Sequence, residues 1–443
     1  MSGTDLALAH RTLPKRAQAD ELARRAVSPV CGLVPNLGTT FRRRHGLRFA
    51  LTATEPRGLH QLVGAPPVRP GSLHVGACGP DVEDNRIRTI AESVERYSHF
   101  AFPAHQRENF VFAARSDLVA SGEPVVGTTA LEVFAELQFA DPDFPFEPFD
   151  PDAPMSWMPM TSLVGGEDLL VPAQLLLVGY QIRDHDGEPY VQSAVTTGTA
   201  VHTDPVKALL NALQELVQLD AVMGHWHTAV PSARIGWDRR TRALRHLVDE
   251  HWSPRFPDPE FHLLPSPDLP GFTVACLVRG RAGHGPAIVL GLGTDGKLTA
   301  AMYKALVEAS AMVALGTWQD GPAEPGFFDL DSNIAHYADP VNAQVVEERF
   351  ANCTSSQASD LPADTTTDPS EAARHLIAAF RDSGKRLLHA DLTTPDVQQL
   401  GFHAQRVWSP DVLLLSLPGA PPLRHPRFDA YGGFSNQRPH PYP

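Results

Sequence analysis

Residues 86–100, RIRTIAESVERYSHF, combine an apolar stripe with a pair of acids on another face of one predicted helix. The apolar residues recur at the three- and four-residue spacing of an amphipathic helix: Ile87, Ile90, Ala91, Val94 and Tyr97. Glu92 and Glu95 are three apart, so their side chains lie next to each other. Arg88 and Arg96 stand four residues before and after Glu92. Because a solvated helix face commonly carries such charges, this helix alone does not define a site.

A second stretch, DPVKALLNALQELVQLDAVMGHW at 204–226, predicts a longer and more apolar helix. Asp204 occupies the position of an N-cap and Pro205 the first helical position. One narrow line of polar residues follows the helix at helical spacing: Asn211, Glu215 and Gln218. A surface helix would carry more Lys and Glu than this one does. Two mostly apolar helices, each with an acidic polar line, therefore indicate a shared buried site.

Carboxylates that share a buried site repel each other and need a cation. Hard cations take oxygen ligands, and magnesium held by a few carboxylates usually carries substrate phosphates as well. A third predicted helix, KLTAAMYKALVEASAMVAL at 297–315, carries Lys304 and Glu308 four residues apart. A surface ion pair would explain that spacing equally well.

Four motifs, in this order, resemble the YcaO proteins and, in particular, their azoline-forming branch. The motifs are ESVERYS at 92–98, GTAVHTDPVKALLNALQELVQLD at 198–220, FFDLDSNIAHYADP at 327–340 and PHPYP at 439–443. The similarity covers most of the chain from about residue 28. It implies an α/β (α+β) fold in which a sheet-based core and its helices surround one cleft for ATP and magnesium. Residues 28–443 would form a single large domain of packed subdomains, and residues 1–27 an N-terminal helical extension.

The resemblance also implies roles for individual residues. Magnesium would be held, directly or through water, by Glu92, Glu95, Glu215 and Gln218. Phosphate oxygens would be contacted by Arg88, Arg96 and Lys304. Asn211 would bond a phosphate or the ribose, Glu308 would be a further metal or supporting ligand, and the carboxylate of Pro443 would be catalytic by orienting the attacking group or accepting its proton. Two positions depart from the family pattern, since many relatives carry Ser in place of Arg88 and Glu in place of Gln218.

The reaction implied by the resemblance is an ATP-dependent cyclodehydration. Cys, Ser or Thr of a ribosomally made precursor peptide would become thiazoline or oxazoline, as a step of bacterial natural-product biosynthesis. The side chain would add to the preceding amide carbonyl, and the oxyanion would take the terminal phosphoryl group of ATP before leaving as phosphate. Two alternatives stay open. A thioamide- or amidine-forming enzyme of the same family is disfavoured by PHPYP, and a non-catalytic nucleotide-binding scaffold is disfavoured by the retained glutamates.

The composition excludes several other classes of protein. The formal net charge of −14 argues against a nucleic-acid or anionic-membrane partner. No apolar run reaches the roughly 18 residues of a membrane span, and the N-terminus lacks the apolar core of a signal peptide. The four cysteines are scattered and form no C-x-x-C, so neither a zinc site nor a disulfide framework is expected. These features predict a cytoplasmic protein.

The resemblance also implies partner proteins, because the region before the first site helix is short. Only 85 residues precede Arg86, too few for the adenylating-enzyme-like domain that captures the leader peptide in some relatives. A separate partner protein of that fold is therefore expected, together with the precursor peptide. A flavin-dependent dehydrogenase that oxidises azolines to azoles is a further expected partner, and the resemblance implies a homodimer.

Outside the site helices, composition and turn residues predict the remaining elements. Strands are expected at 31–36, 47–54, 73–77, 168–180, 189–200, 272–280 and 286–293. A helix is expected at 131–139, and a mobile loop at 354–370.

Overall fold

The computed structural model describes residues 15–41, 48–67, 73–254, 256–281, 284–315, 326–328 and 332–442. Within them the helices are α1 (Lys15–Ala26), α2 (Leu59–Leu62), α3 (Val82–Gln106), α4 (Arg115–Ala120), α5 (Glu136–Phe139), α6 (Pro205–His227), α7 (Arg242–His251), α8 (Leu298–Leu315), α9 (Ser332–Ala338), α10 (Pro340–Ala351), α11 (Pro369–Asp382), α12 (Pro395–Gln399) and α13 (Arg427–Ala430). The strands are β1 (Gly38–Phe41), β2 (Ala50–Thr54), β3 (Val75–Gly79), β4 (Val111–Ala114), β5 (Pro154–Ser162), β6 (Leu169–Pro172), β7 (Thr199–His202), β8 (Ser232–Gly236), β9 (Glu260–Leu263), β10 (Phe272–Arg281), β11 (His284–Asp295), β12 (Cys353–Gln357), β13 (Leu388–Asp391) and β14 (His403–Trp408). None of these helices is both long and apolar enough to cross a membrane.

The strands form three sheets. The first is an antiparallel meander in the order β1-β2-β3. The second has the order β11-β10-β9-β8-β12, antiparallel except for the parallel pair of β8 and β12. The third has the order β4-β5-β13-β14-β7, with β6 paired to β5. Because β7 pairs with β14, the third sheet joins segments that lie about 200 residues apart in the chain.

Three long helices connect the three sheets, and each of them packs against two. The α3 helix contacts β2 and β3 of the first sheet and β7 and β14 of the third. The α6 helix contacts β7 and β14 of the third sheet and β10 and β11 of the second. The α8 helix contacts β10 and β11 of the second sheet and β3 of the first. These three helices therefore lie where the sheets approach one another.

Side-chain caps start the two helices that the sequence predicted most clearly. The Asp81 carboxylate accepts hydrogen bonds from the backbone N–H groups of Glu83 and Asp84, at 3.0 and 3.3 Å. Asp204 does the same for the first turn of α6, with Pro205 at the first helical position. Such caps satisfy backbone donors that have no partner within the helix. Both predicted helices are confirmed, and α3 extends beyond the predicted 86–100 at both ends.

Two glycines let α8 lie directly against β11. A Cβ atom on Gly291 would stand 2.1 Å from the backbone nitrogen of Ala309 and 2.3 Å from the carbonyl oxygen of Ala305. A Cβ atom on Gly293 would stand 2.3 Å from the carbonyl oxygen of Ala301. Real Cβ atoms cannot approach so closely, so any side chain here would push the helix away from the strand. The two glycines flank Leu292, which matters for the site described below.

Several predicted elements differ in the structure. The strand expected at 31–36 is wrong, since those residues form a turn with one isolated bridge from Val34 to Val27. The helix expected at 131–139 is limited to its last turn, α5, and the strand expected at 189–200 reaches regular pairing only from Thr199. The loop expected at 354–370 contains most of β12, which pairs with β8. Its polar, mostly exposed residues gain order from that pairing and carry no hydrophobic pattern that could predict it.

The contact between β11 and α8 predicts a large cost for Gly291→Ala. Because the added methyl group would overlap the helix backbone, we expect the free energy of unfolding to fall by about 2–3 kcal/mol. Gly127→Ala is the matched control, since its φ of −65° suits alanine and its Cβ atom would come no closer than 3.7 Å to a neighbour. Urea denaturation of both variants measures the difference, and an equal effect of the two would contradict the packing argument.

Candidate functional site

Four glutamates from the three long helices share one recess. Glu92 and Glu95 come from α3, Glu215 from α6 and Glu308 from α8. Each is partly exposed, although protein atoms surround it closely. This combination is typical of side chains that line the inside of a cleft. The three predicted acids Glu92, Glu95 and Glu215 are therefore brought together, and Glu308 joins them.

Burial and mutual repulsion raise the pKa values of these carboxyl groups. Burial, followed by the charges of Glu215 and Glu92, raises the pKa of Glu95 well above its ordinary value. Burial, followed by the charge of Glu308, raises the pKa of Glu215. Burial also raises the pKa of Glu92, and that of Glu308 to about 7. Because the charge on each carboxylate disfavours ionisation of its neighbours, binding of a cation among these acids is favoured.

Backbone N–H groups orient three of the four carboxylates. Glu92 accepts a hydrogen bond from Gly76 of β3, and Glu215 accepts one from Gly198, just before β7. Oε1 of Glu308 accepts the N–H of Leu292, between the two β11 glycines, at 3.1 Å. These bonds partly oppose the upward pKa shifts because they stabilise the charged form. One backbone N–H group from the region of each sheet thus orients one acid of the recess.

The predicted cations differ in their surroundings. Arg96 lies close enough to lower the pKa values of Glu92, Glu95 and Glu215 by its charge. Arg88 is exposed and donates to the carbonyl of Cys78 at 3.2 Å; its charge also lowers the pKa of Glu92.

Lys304 is already engaged. Its ammonium group forms an ion pair with Asp295 at 2.9 Å and donates to the carbonyl of Thr294 and to Oε1 of Gln214, both at 2.9 Å. Gln214 is buried beside the predicted polar line of α6, and periodicity did not single it out. The expectation that Lys304 faces phosphate stays a prediction.

Arg406 is a buried cation of the site that sequence reasoning missed. It lies on β14 with no exposed surface and donates to the carbonyls of Val195, Thr197 and Leu175 and to Oγ1 of Thr199. Burial lowers its pKa to about 10, so it stays charged at neutral pH, and its charge opposes the upward pKa shifts of Glu95 and Glu215. The available signal was an arginine directly before the apolar pair Val407 and Trp408 in the predicted strand, since a buried charge requires a partner.

His99 is a second residue that sequence reasoning missed. It follows Glu95 by one helical turn and is fully buried. Its Nδ1 accepts the N–H of Val178 at 3.4 Å, and its Nε2 lies 3.0 Å from Oγ1 of Thr199, the hydroxyl that also bonds Arg406. Burial, Arg406 and Arg96 lower the pKa of His99 well below its ordinary value. The imidazole is therefore neutral and links α3 to β7.

The remaining predicted residues are Asn211, Gln218 and Pro443, and their roles stay predictions. Asn211 is exposed one turn before Glu215, and Gln218 is partly buried near the next turn. Pro443 lies outside the described residues. In the described part of the chain, no three His, Cys, Asp or Glu side chains are grouped so as to hold a metal by themselves. The donor set still suits magnesium, which usually binds one or two carboxylates plus water and substrate phosphates and rarely a complete protein cage.

A comparison with family models identifies the class of protein. Residues 77–413 match the YcaO cyclodehydratases, described as binding ATP and Mg²⁺. This match spans well over half of the sequence, and the chain belongs to the YcaO cyclodehydratase family. The family assignment and the α+β fold predicted from the four motifs are thus confirmed, together with the two cofactors.

Solved structures share the fold at low sequence identity. A heterocyclase in complex with substrate and cofactor aligns with a TM-score of 0.73 at 17% identity, over 98% of this chain and 58% of that one. YcaO from Methanopyrus kandleri bound with AMPPCP and Mg²⁺ aligns at 0.61 and 17%, over 91% and 92%. The E. coli microcin synthetase McbBCD complex aligns at 0.59 and 12%, over 94% and 99%. This chain therefore spans somewhat more than half the length of the first heterocyclase. No curated protein matches it in sequence.

The buried, neutral His99 predicts acid sensitivity. In the unfolded chain His99 binds a proton below about pH 6.5, whereas its folded pKa is depressed, so its contribution to stability is lost as the pH falls below that value. His99→Gln should therefore lose less stability than the wild type between pH 7.5 and pH 5, by about 2 kcal/mol. Urea denaturation at the two pH values tests this. The same change at the exposed His185 serves as the control, and parallel pH curves for wild type and His99→Gln would refute the assignment.

Proposed function

We propose that this protein is an ATP-dependent cyclodehydratase that converts Cys, Ser or Thr of a ribosomally synthesised precursor peptide to thiazoline or oxazoline. The observation that carries the proposal is the recess in which three helices bring together four carboxylates. Burying like charges costs stability, and a scaffold that only docks other proteins would gain nothing from them. Membership of the family supports the use of ATP and magnesium.

The chemistry requires an amide oxygen to become a leaving group. The nucleophilic side chain of the peptide adds to the preceding carbonyl carbon, and its proton passes to a base. The resulting oxyanion attacks the terminal phosphorus of ATP and displaces ADP. The C–O bond then breaks to release phosphate, and the amide nitrogen gives up its proton to a base, which leaves the C=N bond of the azoline. The net change in the peptide is the loss of one water per ring. The protein has to orient the reacting groups, offset charge and accept the proton.

The residues divide this work by position. Bound magnesium supplies positive charge against phosphate oxygens, and the residues proposed to hold it are Glu92, Glu95, Glu215 and, through water, Gln218. Arg88 and Arg96 would contact phosphate oxygens, Asn211 a phosphate or the ribose, and Glu308 would support the metal ligands. Lys304 would reach phosphate by giving up one of its present partners. The buried Arg406 would offset the negative charge of Glu95 and Glu215 from within the protein.

We further propose that the substrate is presented by a second protein. A chain of similar extent aligns within the E. coli microcin synthetase McbBCD complex, which supports the presence of partner subunits. The partner that we propose has an adenylating-enzyme-like fold and binds the leader peptide. A flavin-dependent dehydrogenase would act on the azoline product, and the catalytic subunit would be a homodimer.

Replacing one acid of the α3 pair tests the nucleotide site. Glu92→Ala or Glu95→Ala should abolish magnesium-dependent ATP binding and turnover, because a carboxylate that holds the metal is lost, while the fold survives because a repulsive charge is removed. Isothermal titration calorimetry with ATP and magnesium measures the affinity. Glu83→Ala is the matched control on the same helix, since Glu83 pairs with Arg86 at 2.8 Å outside the recess. Unchanged ATP binding in both site variants would refute the assignment.

The proposed role of the Pro443 carboxylate has its own test. Deleting residues 440–443, or appending a few residues after Pro443, should strongly reduce azoline formation and largely preserve ATP binding, because the carboxylate would be removed or displaced. Mass spectrometry counts the waters lost by the peptide. The same residues appended before Met1 provide the control. Full ring formation by the C-terminally extended protein would exclude a catalytic carboxylate.

A further inference from the structure

Residues 438–442, here called the terminal segment, run from the surface into the protein, since Arg438 is exposed, Pro439 is partly buried and the last three residues are buried. His440 and Tyr442 have no exposed surface. The indole N–H of Trp226, at the end of α6, donates to the carbonyl of Arg438 at 2.9 Å. The hydroxyl of Tyr337 on α9 donates to the carbonyl of Pro439 at 2.6 Å. The segment is therefore held by side chains of two helices.

Asn333 makes the most specific of these contacts. This fully buried residue of α9 donates from one amide nitrogen to the carbonyls of His440 and Tyr442, both at 2.7 Å. Its side-chain oxygen accepts the N–H of Ile334 at 3.0 Å. Since both carbonyls require a donor, the orientation of the amide is determined by its partners. The side chain thereby ties the start of α9 to two alternate carbonyls of the terminal segment.

The sequence of the segment explains why side chains must hold it. Pro439 and Pro441 have no backbone N–H, so the segment cannot pair as a regular strand. Its carbonyls still require donors once they are buried. Asn333 supplies one donor to two alternate carbonyls, and a shift of the segment by one residue would break both bonds. The amide therefore selects one register.

The terminal segment lies against elements of the carboxylate recess. Pro441 lines a small apolar cavity together with Leu290 of β11 and Met312 of α8. Leu290 precedes Leu292, the donor to Glu308, by two residues, and Met312 follows Glu308 by one helical turn. A change in the register of the segment would thus alter packing next to the acidic site.

We propose that Asn333 is the positioning residue that sets the register of the terminal segment up to the carbonyl of Tyr442. This inference rests on the proposed function in which Pro443 serves the reaction. It also explains why two motifs that are about 100 residues apart in the sequence occur in the same chain. FFDLDSNIAHYADP carries Asn333, whose bonds to the two carbonyls are here called the clamp, and PHPYP carries those carbonyls.

Asn333→Asp is the sharpest variant. It keeps the shape of the side chain and the acceptor for Ile334 but removes the donor. Asn342→Asp is the matched control, because Asn342 donates to the carbonyl of His336 at 3.1 Å, next to α9, without contacting the terminal segment. Tyr337→Phe removes one hydroxyl bond to the segment with little change of shape, and it provides a second test if Asn333→Asp does not fold.

Hydrogen exchange monitored by mass spectrometry measures directly how firmly Asn333 holds the terminal segment. The amide hydrogens of residues 439–443 are those of His440 and Tyr442, since the other three residues are proline. We expect Asn333→Asp to speed their exchange at least tenfold, Tyr337→Phe to speed it less, and Asn342→Asp to leave it unchanged. Unchanged exchange in folded Asn333→Asp, or in Tyr337→Phe if the former does not fold, would overturn the proposal.

A double-mutant cycle separates the clamp from the role of the segment. With magnesium, ATP and a synthetic peptide of Gly–Cys steps, Asn333→Asp should reduce kcat at least tenfold and leave the Kd for ATP within twofold. In a protein that lacks residues 440–443, it should have no further effect. If Asn333→Asp lowers kcat tenfold again in the protein that lacks residues 440–443, Asn333 does not act through the terminal segment. If the protein that lacks residues 440–443 keeps full turnover, the proposed catalytic role of the terminus is refuted. The clamp is retained in that case if Asn333→Asp still speeds the exchange of His440 and Tyr442 in the full-length protein.

Discussion

The repulsion between the four carboxylates of the recess is the constraint around which the rest of this structure is arranged. Glu95 faces the charges of both Glu92 and Glu215, and burial strengthens each of these repulsions. Cations offset this cost at different depths, from the buried Arg406 to the exposed Arg88. Backbone N–H groups stabilise the acids further. The result is a recess whose carboxyl groups a bound cation would help to ionise.

Close backbone approach makes this arrangement possible. Glu308 reaches the recess because Gly291 and Gly293 allow α8 to touch β11. Gly198, which donates to Glu215, has a φ of 82°, and a Cβ atom there would stand 2.4 Å from the carbonyl oxygen of Val407. Small residues therefore set the distances between the elements, and the acids only occupy the space that results.

Helix periodicity is a local property, and it was sufficient to predict α3, α6 and three of the clustered acids. Arg406 and His99 were not found, because their roles depend on the pairing of β14 with β7, which no local pattern encodes. Gln214 was missed because its contact is with Lys304 on another helix. The family resemblance supplied Glu308 and Pro443. The former lies in the recess, and the role of the latter stays a prediction.

The pairing of β7 with β14 also has a consequence for the order of folding. The helices that carry Glu95 and Glu215 are complete by residue 227, whereas Arg406 lies about 180 residues further along the chain. During synthesis, both acids therefore leave the ribosome long before their buried counter-charge exists. Docking α3 on α6 at that stage would bury like charges with Arg96 but without Arg406 to offset them. We expect the two helices to form early, remain apart, and close onto each other only when the last strand of the third sheet arrives.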